Sequence, residues 1–85
     1  MTTLERDIKI FIVKALARYQ QPMTEESLRA AIASAFQHVA LTAGDVGEQI
    51  SACETDGLIA GINDDLLGLI WTVTPKGKIR AQSIR

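Results

Sequence analysis

The stretch from Thr42 to Lys78, TAGDVGEQISACETDGLIAGINDDLLGLIWTVTPKGK, does most to limit what this chain can become. It carries a start and a stop for a helix. Thr42 is an N-cap residue, and Asp45 three positions later can return a hydrogen bond to the Thr42 N–H. Leu41 before the cap and Val46 inside it are spaced for a hydrophobic staple. Val46, Ile50 and Cys53 then repeat on one helical face. Gly57 stands where a helix closes in a left-handed residue, with Leu58 free to fold back on the last turn. Two short apolar runs follow, Leu58–Ile62 and Leu66–Val73, around the turn residues Asn63, Asp64 and Asp65. In the second run Leu67, Leu69, Trp71 and Val73 share the more apolar face. Thr74-Pro75 then caps a new helix, with proline at the position where its missing N–H is harmless.

Upstream, two more helices are expected. Residues 1–3 should fray, with Thr3 as a cap for a helix to Tyr19. Leu4, Ile8, Phe11, Ile12, Ala15, Leu16 and Tyr19 fall on one side at the 3.6-residue period. Ile10, Val13 and Ala17 form a second stripe on roughly the opposite side. They read either as scattered surface aliphatics or as a dimer or partner contact. Gln20-Gln21-Pro22 makes a linker, because proline pushes the preceding residue out of helical geometry. Thr24 then caps a second helix. Met23 and Leu28 are its staple, Glu25 and Glu26 suit its positive end, and Leu28, Ala31, Ile32, Ala35, Phe36 and Val39 form its core stripe. The closing helix runs from Pro75 to about Ser83, weakened by Gly77, with Ile79 facing inward.

With 85 residues the chain makes one domain, residues 1–85. The expected class is α+β, mainly α: a three-helix core, a two-stranded hairpin and a short C-terminal helix. Hydrophobic residues are 47% and charged residues 22%, a globular rather than disordered balance. No apolar run reaches the roughly 20 residues of a membrane span, and the N-terminus lacks the basic start and apolar block of a signal peptide. The simplest compartment is the cytosol. A single cysteine, Cys53, excludes an internal disulfide; on the buried stripe it reads as a small core residue.

The segments ETDGLIAGI and LIWTVTPKGKIRA resemble the helix end, wing and closing helix of winged-helix proteins of bacterial and phage type. Trp71, Val73, Thr74, Gly77 and Lys78 stand at the aromatic, hydrophobic, threonine, glycine and basic positions of that pattern, and the resemblance covers about residues 24–80. It implies a third helix in the major groove and a wing tip on the DNA backbone. Such contacts need Lys or Arg at the phosphates. The outward positions of this third helix are Gly44, Asp45, Glu48, Ser51, Ala52 and Thr55, and the wing tip is Asn63-Asp64-Asp65. From Thr42 to Leu66 there are six acids and no base, while all nine Lys and Arg lie before residue 30 or after residue 75. Ser51, Thr55 and Gln49 could touch base edges but would not hold a polyanion.

Two readings follow. In the first, the chain is a non-catalytic accessory or regulatory module that binds protein. Ile10, Val13 and Ala17 would contact a partner or a second copy, and the acidic face of Asp45, Glu48, Asp64 and Asp65 would meet a basic partner. In the second, it is a DNA-binding regulator using Arg6, Lys9, Lys14 and Arg18 of the first helix with Lys76, Lys78 and Arg80 of the last. Neither reading calls for a cofactor or metal. A lone His38 near a helix end is a dipole partner or surface residue. Asp64-Asp65 read as turn residues before they read as a metal pair. The spacing Gly57-x-x-x-Gly61 crosses a helix stop and is no phosphate loop.

Overall fold

The computed structural model describes residues 3–19 and 21–83. Four helices and three strands follow one another as α1 (Thr3–Tyr19), β1 (Met23–Thr24), α2 (Glu25–Ala35), α3 (Ala43–Thr55), β2 (Ile59–Asp64), β3 (Gly68–Val73) and α4 (Pro75–Ser83). The class is α+β and mainly helical, as expected. Residues 1 and 2, expected to fray, Gln20 of the expected linker and the side chain of Tyr19, expected inward, lie outside the described residues. Thr3 is already helical and is not a cap.

The sheet has three strands where two were expected, in the antiparallel order β1-β3-β2. Met23 pairs with Trp71 and Thr24 with Ile70. Pro22 disfavours helical geometry just before this point. Thr24 is extended, at φ −64° and ψ 156°, so the residue that caps α2 also closes the sheet. Its hydroxyl accepts the Ser27 N–H at 3.1 Å. α2 ends at Ala35, short of the expected Val39. Phe36 leaves helical geometry with φ −115° and ψ 32°, and its ring meets Phe11 edge-on at 5.9 Å. Val39 N–H then bonds to the Phe36 carbonyl at 2.9 Å, closing a turn in place of another helical one. His38 lies in that turn, exposed.

α3 follows its local signals closely. Both halves of the capping box are made: Asp45 N–H donates to Thr42 Oγ1 at 3.0 Å, and Thr42 N–H to Asp45 Oδ2 at 3.2 Å. At the other end Gly57 has φ 77°. Leu58 N–H reaches the Cys53 carbonyl and Gly57 N–H the Glu54 carbonyl, at 3.0 and 2.9 Å. That pair of bonds is the Schellman closure, which favours glycine at the left-handed residue.

The core joins α1, α2, α3, β2 and β3 through Ile8, Ile12, Leu16, Leu28, Ile32, Ile50, Cys53, Ile59 and Trp71. α1 is packed by α3 and by α4, and this corrects the reading of its second stripe. Val13 is only 1% exposed and belongs to the core, and Ala17 is half-buried against it. Ile10 is half-buried as well. A helix covered on two sides needs apolar residues beyond one stripe, so Ile10, Val13 and Ala17 do not form a free contact face. In α4 the inward residue is Ala81, while Ile79, expected inward, is 67% exposed.

Candidate functional site: the hairpin end and the α1–α4 groove

The outer end of the β2–β3 hairpin is the least expected surface. The register pairs Ile62 with Ile70, Asn63 with Leu69 and Asp64 with Gly68. The turn is therefore Asp65-Leu66-Leu67, two residues later than Asn63-Asp64-Asp65. Asp64 sets this shift. Its Oδ1 accepts the N–H groups of Leu66 and Leu67 at 2.8 and 2.9 Å. An Asp that satisfies the backbone ahead of it starts a turn. The same two bonds, Leu67 first, hold its carboxyl below the usual carboxylate range.

The consequence is that two leucines stand in solvent. Leu66 is 94% exposed and Leu67 63%. Ile62, on the outer face of the sheet, is 49% exposed, and Leu69 is also open. Trp71 and Val73 of the expected apolar face do reach the core, but Leu67 and Leu69 lie past its edge. The signal was present in the sequence: Leu66, Leu67, Leu69 and Ile70 are apolar at both parities, and a hairpin projecting from a small core cannot bury both faces. Asp64 and Asp65 directly precede the two leucines. The other two residues of the expected acidic face lie on α3, where Asp45 is bound into its own capping box and Glu48 is exposed. Gln49, considered as a base-edge contact, is buried.

A second surface opens at the base of the hairpin. Arg6, Lys9, Ile10, Val13, Asp56, Leu58 and Arg80 line a cavity of about 260 Å³ between α1, α4 and the end of α3. It continues along α4 past Lys76, Ile79 and Ser83. Asp56 organises its charges. Lys9 Nζ lies 3.3 Å from Asp56 Oδ2, and Lys76 Nζ donates to the Asp56 carbonyl at 2.9 Å. Both ammonium groups thus serve the C-terminal end of α3, where the helix dipole is negative. The seven bases of α1 and α4 do not form one strip. Arg6, Lys9, Lys76 and Arg80 share this groove, whereas Lys14 and Arg18 line a different hollow with Phe11, Ala15 and Ala31. Lys78 is exposed on α4 and lines neither.

Cys53 faces α1 from within the core. Its thiol donates to the Lys9 carbonyl at 3.8 Å, and burial pushes its pKa up to about 11. A thiol so placed is a packing residue rather than a nucleophile. Among the described residues no three His, Cys, Asp or Glu side chains gather as a metal site, and no helix is long and apolar enough to cross a membrane. No family model, no curated protein and no solved structure matches this chain.

Proposed function

We propose that the chain is a winged helix that binds protein, works without catalysis, and docks through the end of its hairpin. The order of α1, β1, α2, α3, β2 and β3 supports the winged-helix reading, with α2 and α3 as the helix pair and β2–β3 as the wing. One observation carries the functional reading: Leu66 and Leu67 project into solvent beside Asp64 and Asp65. Clustered exposed aliphatics mark contact sites more often than single ones do, and acids in the same turn disfavour a phosphate backbone. The partner surface that fits is an apolar cleft with a basic rim. A photoreactive residue in place of Leu66 should cross-link to protein in the native cell; absence of any protein adduct would remove the reading.

A second reading, DNA binding through α1 and α4, draws support from the grouping of Arg6, Lys9 and Arg80. It predicts micromolar, salt-sensitive binding to duplex DNA. Anisotropy of a labelled random duplex at low salt should instead stay flat as protein is added.

A further inference from the structure

We propose that the partner cleft is on this same chain: the hairpin end of one copy docks into the α1–α4 groove of a second copy. This rests on the reading of the hairpin end as the docking element, and it names the partner.

The two surfaces complement each other in both respects that matter for a contact. The hairpin end offers exposed Leu66 and Leu67 directly after the carboxylates of Asp64 and Asp65. The groove offers half-buried Ile10 and Leu58 as its apolar floor beneath the cations Arg6, Lys9 and Arg80, with Asp56 as its one acid. Asp64 is well suited to the charged half of the contact, because its backbone bonds keep it ionised. A formal net charge of −1 puts little general repulsion between copies.

Position on the molecule then sets the mode of association. Leu58 lines the groove at the foot of β2, and Asp64 ends that strand. The strand rises about 3.3 Å per residue, so the two surfaces are about 20 Å apart along it. The proposed contact is one-directional, hairpin of one copy into groove of the next with no two-fold axis between them, and such a heterologous contact runs head to tail. The α1-centred dimer is no competitor, since Val13 is core.

Sedimentation equilibrium on the full chain tests this with two variants altered only at exposed positions. Leu66→Ser with Leu67→Ser disables the hairpin end and leaves the groove intact. Arg6→Glu with Arg80→Glu disables the groove and leaves the hairpin intact. Circular dichroism establishes that both are folded. The wild type should show a mass that climbs with concentration from 9.2 kDa past that of a dimer. Each variant alone should remain at the monomer mass. An equimolar mixture should form a one-to-one pair of twice that mass and nothing larger, because only one native hairpin and one native groove can meet. A wild type that stays monomeric, a variant that still associates alone, or a mixture that stays monomeric overturns the proposal. If the wild type is monomeric while residue 66 cross-links to another protein, self-docking fails and the protein-binding reading stands. If residue 66 cross-links to no protein, both fail.

Discussion

The carbonyl oxygen of Leu58 fills the space that a side chain on residue 77 would need, so the first turn of α4 lies directly against the start of the hairpin. Val73 crowds the same point from the strand side. Thr74 completes the joint. Its single hydroxyl hydrogen is shared between the Gly57 and Leu58 carbonyls, with Oγ1 at 2.7 and 3.0 Å from them, and the hydroxyl oxygen accepts the Gly77 N–H at 3.0 Å. Here the rule that glycine weakens a helix is outweighed by a contact only glycine permits.

Gly77→Ala therefore separates two opposite expectations. Helix propensity alone favours alanine by about 1 kcal/mol. Overpacking against a backbone carbonyl costs about 1–3 kcal/mol or more. We expect net destabilisation, read as a lower urea midpoint with an unchanged slope.

Val13 gives a prediction that distinguishes core from contact surface. Val13→Ala should lower stability by about 2 kcal/mol, as methyl deletions from packed sites do, and leave the mass in dilute solution unchanged. A change in association at unaltered stability would return Val13 to an interface.

The turn should respond to pH through Asp64. Its folded carboxyl titrates below the unfolded value of about 3.9. A depressed carboxylate contributes stability above its unfolded pKa, and the contribution is lost as pH falls through the folded one. The protection of the Leu66 and Leu67 amides, taken relative to their intrinsic exchange rate at each pH, should fall as acid is added below about pH 4. Asp64→Ala should give that loss of protection at neutral pH, and unchanged protection there would rule out the turn as described.

Cys53 offers a reporter for unfolding. Its folded pKa of about 11 exceeds the ordinary 9.0, so its contribution to stability is full below 9.0 and is lost as pH rises through about 11. At neutral pH iodoacetamide should label the thiol no faster than the protein opens. Rapid labelling of the native protein would place the thiol at the surface.

How much of this was readable in the sequence depended on range. The capping box of Thr42 and Asp45, the Gly57 closure and the Val46, Ile50 and Cys53 stripe are set within a few residues, and the sequence carries them openly. The pairing of Met23 with Trp71 joins residues far apart in the chain, and a two-residue strand has no periodicity to detect. α1 is packed by α4 from the far end of the chain as well as by α3, and that second cover is not visible in the periodicity of α1. At the candidate site the acids were legible, and the two-parity apolar run hinted at exposed leucines without placing them in the turn. A turn centred on Asn63-Asp64-Asp65 uses the most polar residues, but the Asp64 side chain bonds forward and carries the turn onto Leu66 and Leu67. The basic residues were visible as a list, while their division into two separate hollows was not.

Residue 66 is the place to test the central claim, that the hairpin end is a protein-docking element. A photoreactive amino acid would be placed at Leu66 and, as a control, at exposed Glu26 of α2, and adducts compared after irradiation in the native cell. The account predicts a discrete protein adduct from position 66, absent from position 26 and reduced when Leu67 is also changed to Ser. No adduct at position 66, or the same adducts from both positions, would contradict it.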